Sequence, residues 1–272
     1  MEIANGSHRY RVGRQVADAG TYRLYLCTEE DTAHQRLLQV ASETAHNGQL
    51  DRVAYVLSEL EHRADDVERE YAGKQAGSND RLNYGIGFPE LLDTFQDDRQ
   101  GGRRINVLAF RNVPDIGKMV PLGNITRHRI RPDVRTSVWI MGKLLKLLTF
   151  VHSEGISVGL VTGNNVLIEK DAHYVLVFDW SKARIHPDSV AIEARRADIV
   201  NAARTVITLL GGNPVTGDFP EDEGGRFHPY TDYLFRLACG GETRAERAHA
   251  RFYELADSFW KPEYYRFTAK PL

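Results

Sequence analysis

The side chains able to do chemistry gather in one stretch, His152 to Asp179, where single polar residues punctuate apolar runs. His152 closes an apolar-striped segment. Asn164 and Asn165 precede Val166-Leu167-Ile168, and Asp179 follows Tyr174-Val175-Leu176-Val177-Phe178. An Asp that ends an apolar strand closes a turn by accepting backbone N–H groups, and an Asn following another Asn ties a loop in the same way. Other chemistries are weakly supported. The ten histidines include no pair at zinc-binding spacing, and Cys27 and Cys239 stand far apart with no neighbouring ligand motif. Free thiols in a reducing compartment are expected rather than a disulfide framework. Ser153 and Ser157 lie near His152, but no G-x-S-x-G elbow accompanies them, which argues against hydrolase chemistry.

The elements that must position these residues are legible from periodicity. Tyr10–Val12, Tyr22–Cys27 and Arg36–Ala41 are β-prone and partly alternating, with Gly-, Asp- and Thr-bearing turns between them. From about Leu50 to Tyr71 the period becomes helical, with Leu50, Val53, Val56, Leu57 and Leu60 on one face. A polar connector, Gly73 to Gly87, leads to strands at Phe88–Phe95 and Ile105–Phe110, the second buried on both faces apart from one Asn. Arg111 to Thr126 is loop-rich and reads as a hinge. Pro132 then opens the strongest helix, whose stripe is Val138, Met141, Leu144, Leu145, Leu148 and Val151. A second helix, about Ile192 to Leu210, stops at Gly211-Gly212. Shorter helices follow at about Tyr230–Ala238 and Arg244–Trp260. Phe252, Tyr253, Phe259 and Trp260 are expected in the core, and the tail from Pro262 either packs back or offers a partner surface.

The segment His152-Ser153-Glu154-Gly155-Ile156, continuing through Asn165 to Asp179-Trp180-Ser181, resembles the catalytic loop and metal-binding turn of the protein-kinase superfamily. There a helix ending in Leu-His-Ser-x-Gly-Ile precedes H-R-D-L-x-x-x-N, two apolar strands and D-F-G. Eight residues forward from His152 and five back from Asn165 both reach Leu160, where the family's catalytic Asp stands, so H-R-D reads Val158-Gly159-Leu160. Asp198, in Ala197-Asp198-Ile199-Val200, matches the Asp that opens the family's central helix and ties down the catalytic loop. Asp198 and His152 are therefore given structural roles.

The resemblance spans roughly residues 10 to 260 and implies an α+β, two-lobe fold. Residues 1–110 form an N-lobe with an antiparallel five-stranded sheet and one helix, 111–126 a hinge, and 127–272 a mainly helical C-lobe. It places the Gly-rich loop at Ala17-Asp18-Ala19-Gly20-Thr21-Tyr22, with Ala17, Ala19 and Tyr22 at the signature glycine positions. It places the strand lysine at Gln39, with Glu61 or Glu68 as the helix partner. Gln39 and Gly20 are the implied nucleotide contacts, and Asp179 and Asn165 the implied metal ligands, with ATP and Mg²⁺ as the implied cofactors.

Phosphoryl transfer asks the protein for positioned phosphates, metal, and a residue that orients the hydroxyl. Leu160 cannot accept a proton, Gln39 carries no charge, and side chains crowd the loop where glycines admit phosphate. The expected function is thus an inactive pseudokinase serving as a regulatory or protein-binding module. The alternative is a divergent Mg-nucleotide-dependent phosphotransferase or nucleotidyl transferase using Asp179 and Asn165. A third reading is a purely structural domain with a filled cleft. The interval Trp180 to Ala197 holds no A-P-E phrase and leaves little room for a peptide platform. In that respect the C-lobe is closer to small-molecule kinases such as aminoglycoside or choline kinases.

Composition sets the outer bounds. With 35 basic and 37 acidic residues among 272, a net charge of -2 favours neither a nucleic-acid nor a membrane partner. The basic stretch Arg127 to Arg131 reads as a solvated loop. The first residues lack a signal-peptide core, and Val138 to Val151 is too short to span a bilayer. A cytoplasmic protein whose partner is another protein is expected.

Overall fold

The computed structural model describes residues 2–6, 8–74, 82–113, 115–220, 225–261 and 263–272. Part of the connector Gly73–Gly87, together with Pro114 and Pro262, lies outside these residues. The chain divides into two compact units, residues 1–118 and 119–272.

The first unit is one antiparallel sheet and one long helix. Its strands are β1 (Glu2–Asn5), β2 (His8–Asp18), β3 (Tyr22–Glu29), β4 (Gln35–Ala41), β5 (Glu90–Asp97) and β6 (Arg103–Ala109), in spatial order β1-β2-β3-β4-β6-β5. Helix α1 (Asn47–Lys74) lies between β4 and β5 in sequence. The sheet has six strands, not five. β1 escapes a periodicity search because it has four residues and one deeply buried side chain, Ile3. It nonetheless draws the sheet edges together, since Asn5 Nδ2 donates to Asp93 Oδ2 on β5 at 2.8 Å. Register shifts along β2 around Gln15 add the bend this curling needs. At Gly13 a Cβ would stand 2.9 Å from the Leu26 carbonyl oxygen, so the irregular strand approaches its neighbour only through a glycine.

Alternation on β4 divides the interior. Leu38 and Val40 join Ile3, Tyr10, Cys27, Phe95, Ile105 and Val107 on one face. Ala41 meets Tyr22 and Leu50 of α1 on the other. The period of two puts Gln39 on the same face as Ala41. Along α1, Leu50, Val53, Leu57, Leu60 and Ala64 recur at helical spacing and are buried, as the amphipathic pattern requires.

The second unit is mainly helical. It contains β7 (Val120–Pro121), α2 (Leu122–Arg127), β8 (Ile130–Pro132), α3 (Val134–Ser153), β9 (Ile156–Ser157), β10 (Val166–Glu169), β11 (Tyr174–Val177), β12 (Arg184–Ile185), α4 (Ile192–Leu209), α5 (His228–Ala238), α6 (Ala245–Phe259) and β13 (Ala269–Pro271). Helix α3 is central and packs on α4 and α6. Pro132 is the last residue of β8 and precedes the cap rather than opening the helix. Asp133 is the cap, accepting from the Thr136 N–H at 2.7 Å. The span 111–126 ends in β7 and most of α2, a helix too short for its two buried residues, Leu122 and Ile125, to register as a stripe.

Arg127 to Arg131 is not simply a solvated loop. Ile130–Pro132 pairs antiparallel with β13, and Arg131 is buried. The tail packs back. Asp133 N–H donates to Thr268 O at 3.0 Å, and Thr268 N–H to Thr136 Oγ1 at 3.1 Å. His173 lies between Trp139 and Tyr264, with ring centres 4.5 and 4.6 Å away. Among the C-terminal aromatics Phe252 is buried, but Tyr253 is 47% exposed, because adjacent helical positions cannot share one face. Among the described residues, no helix is long and apolar enough to cross a membrane.

Candidate functional site

The loop after α3 is held from below by one carboxylate. Asp198 is 1% exposed and accepts from Val158 N–H and Gly159 N–H, each at 2.8 Å. His152 Nε2 lies 3.0 Å from its Oδ2. Asp198 sits in the second turn of α4, which begins at Ile192, so it does not open that helix or cap its first turn. Its hydrogen-bonding capacity goes instead to the neighbouring loop. A buried carboxylate is stable here because each oxygen meets a donor.

Above this anchor Val158, Gly159 and Leu160, which the resemblance aligns with H-R-D, carry no ionisable group. Val158 is buried and Leu160 is half-buried. Gly159 has φ +75°, and a Cβ there would stand 2.6 Å from the Lys182 carbonyl oxygen. Only glycine fits this backbone at that distance.

Asn165 is almost fully engaged. Its Nδ2 donates to the carbonyls of Leu160 (2.6 Å) and Asp179 (3.0 Å), and its Oδ1 accepts from Asp179 N–H at 2.5 Å. Both amide protons and one of the two oxygen lone pairs are thereby used. Asp179 in turn accepts from Ser181 N–H through Oδ1 at 2.8 Å, closing the turn in which Trp180 is buried. Loop-tying and turn closure account for both residues. Asp179 keeps Oδ2 and a lone pair on Oδ1, and Asn165 keeps one on its Oδ1, so the two side chains offer a hard cation part of its oxygen shell and phosphates and water would have to complete it. Among the described residues, no group of three or more His, Cys, Asp or Glu side chains is arranged to hold a metal.

In the first unit Gln39 is 1% exposed and belongs to a neutral network. Asn106 Nδ2 donates to Gln39 Oε1 and to the Leu50 carbonyl, each at 3.1 Å, while Thr94 Oγ1 donates to Asn106 Oδ1 at 2.7 Å. Gln39 and Asn106 are directly opposite on β4 and β6. Neither Glu61 nor Glu68 takes up Gln39. Both face Arg111, whose guanidinium lies 3.8 and 3.7 Å from them and 3.1 Å from Asp65. Glu68 also accepts from Tyr84 N–H and Gly85 N–H. Burial pushes Glu61 above the usual carboxylate range, and Glu90 adds to this while Arg111 opposes it.

The hairpin between β2 and β3 closes on itself. Ala19 N–H donates to Tyr22 O, and Gly20, at φ +79°, donates its N–H to Asp18 Oδ1 at 2.9 Å. That contact, helped by Arg23, holds the Asp18 carboxyl below its ordinary pKa. A side-chain anion therefore occupies the N–H that the resemblance assigns to phosphate.

Sequence reasoning missed Asn106, Arg111 and Asp18. The lone Asn in the otherwise apolar run of β6 was the one usable signal, since a polar residue buried on both sides needs a partner. Arg111 and Asp18 reach theirs only through the folded backbone.

A curled antiparallel sheet with one long helix, followed by a mainly helical unit whose loop, hairpin and turn stand in this order, defines a protein-kinase-like fold. The chain is similar to the crystal structure of the Mycobacterium tuberculosis PknI kinase domain, a double mutant. The TM-score is 0.53 over 91% of this chain and 95% of that one, at 18% sequence identity. As a sequence, the chain matches no family model and no curated protein.

Proposed function

We propose that this protein-kinase-like domain is a pseudokinase, a regulatory, protein-binding module that does not transfer phosphate. The observation that carries the reading is the pairing of Leu160 with Asn165. The residue at the base position has no proton acceptor, and the residue at the second-metal position uses its amide to tie Leu160 and Asp179 together. Kinase catalysis relies almost entirely on positioning and electrostatic stabilisation of phosphate, so losing these groups removes the rate enhancement rather than trimming it. The neutral Gln39 network and the Asp18-capped hairpin support the same reading from the first unit.

The test is thermal unfolding with and without millimolar ATP and Mg²⁺, alongside a phosphate-transfer assay on generic protein substrates. The expected result is no transfer and no metal-dependent shift. A ligand at about 100 times its dissociation constant would add about 2.7 kcal/mol, several degrees for a chain of this size. Metal-dependent turnover abolished by Asp179→Ala would replace this reading with that of a divergent transferase.

A further inference from the structure

Among the described residues Lys143 has no hydrogen-bond or ion-pair partner, although it is half-buried on α3. Its surroundings are basic. Lys146 stands one turn further along the same helix and acts on Lys143 by like charge. His173, from the turn between β10 and β11, feels Lys143 in the same way, and His249 of α6 feels Lys146. The carboxylate that acts on His173, Glu169, is buried and accepts from Ala172 N–H. One turn before Lys143, on the same face, Trp139 keeps its indole Nε1 buried with no acceptor among the described residues. His173 stacks on that indole, with ring centres 4.5 Å apart and planes 7° apart, and its own Nε2 is buried without a partner. A half-buried ammonium that lacks an acceptor gains by losing its proton, and the free amine is a nucleophile. Burial, followed by Lys146, accordingly holds Lys143 below the ordinary lysine pKa.

We propose that Lys143 is a modification site at which carbon dioxide adds reversibly to form a carbamate. The Nζ lone pair forms an N–C bond to the carbon of CO₂, one C=O π pair moves onto oxygen, and one N–H proton leaves to water. Nothing is oxidised or reduced. The reagent suits the position, because it is small and uncharged and reaches a half-buried amine without bringing a charge out of water. The product suits it as well. An anion takes the place of an ammonium beside Lys146, so repulsion becomes attraction. The carbamate oxygens also give the Trp139 N–H the acceptor it lacks.

The experiment incubates the full chain at neutral pH with isotope-labelled bicarbonate in equilibrium with CO₂, traps carbamates with trimethyloxonium, and locates them by peptide mass spectrometry. Label on Lys143 is expected about fivefold above that on Lys170, whose side chain is 64% exposed. Trp139→Phe keeps a ring against His173 and removes the N–H, and label on Lys143 should fall about fivefold. A second measurement stands if that variant fails to fold. The His173 ring, followed by NMR, should titrate at higher pH when CO₂ is supplied, because the charge of Lys143 is then gone. Lys143→Arg, which keeps the charge and forms no carbamate at this position, should abolish that response. Label on Lys143 no greater than on Lys170 overturns the proposal. So does labelling unchanged in a folded Trp139→Phe, or a His173 titration that CO₂ leaves in place. None of these outcomes depends on whether ATP binds or phosphate is transferred.

Discussion

The loop after α3 and the strand β4 each carry an uncharged residue, Leu160 and Gln39, at a position the sequence resemblance gives to an ionisable group, but their surroundings differ. Beneath Leu160 the loop is held by the Asp198 carboxylate, which accepts from the Val158 and Gly159 N–H groups and lies beside His152. At β4, Gln39 sits with Asn106, Thr94 and the Leu50 carbonyl in an uncharged hydrogen-bonded cluster, while the carboxylates of α1 turned to Arg111. A loop has no ladder of its own and needs an anchor to hold its shape. A sheet holds its shape through its strands, so a side chain between them can change as long as its polar atoms are satisfied. The buried carboxylate stands where the backbone depends on it.

The sharpest way to break this comparison is Asp198→Ala. It orphans the buried Val158 N–H, the part-buried Gly159 N–H and His152, and about 3 kcal/mol of stability should be lost. All three tryptophans, Trp139, Trp180 and Trp260, lie in the second unit, so urea unfolding followed by tryptophan fluorescence reports on it directly. An unchanged midpoint would mean that the carboxylate is not the anchor.

Ile3→Ala tests the other unit. It truncates a fully buried residue in the strand that closes the sheet, and should cost about 3 kcal/mol. The loss should appear as accelerated amide exchange in β1, β2 and β5, with the tryptophan signal less affected. Exchange in β1 that is already fast in the unmodified protein would remove β1 from the core.

Gln39→Lys places a cation in a setting built for an amide. The new ammonium loses the acceptor that Asn106 used, and about 2 kcal/mol of destabilisation is expected. Combining it with Leu160→Asp should yield no phosphate transfer, because Gly159 and Asn165 still hold the loop in its present form. Transfer activity in the double variant would show that the two units differ from active kinases only at those side chains.

The smallest effect concerns pH. Burial, followed by Lys143, holds His173 below the ordinary histidine value of 6.5, although Glu169 opposes the shift. Burial, followed by Lys146, does the same for His249. The unfolded chain then binds protons that the folded one refuses, so stability is complete above 6.5 and declines as pH falls below it. The melting temperature should fall by a few degrees between pH 7 and pH 5, and less in His173→Gln. A flat profile over that range would mean that both rings protonate freely in the folded state.

The amino-acid sequence by itself determined the order of the large elements and the location of the loop. Helical stripes such as Leu50 to Ala64, and the phrase His152 to Asp179, are local patterns, and burial of one face is enough to enforce them. It also determined which side chains along that phrase are ionisable, since identity needs no fold. Short pieces were illegible. β1, α2 and β13 are too brief for a period; β1 is completed by its hairpin with β2 and its side-chain bond to β5, and β13 by β8, more than 130 residues away in sequence. Only the tertiary structure decided what the retained polar groups do. Whether Asn165 coordinates or ties, whether Glu68 meets Gln39 or Arg111, and whether the Gly20 N–H is open or capped depend on distances of about 3 Å between residues far apart or in tight turns. Those distances follow from packing, which no single stretch of sequence contains.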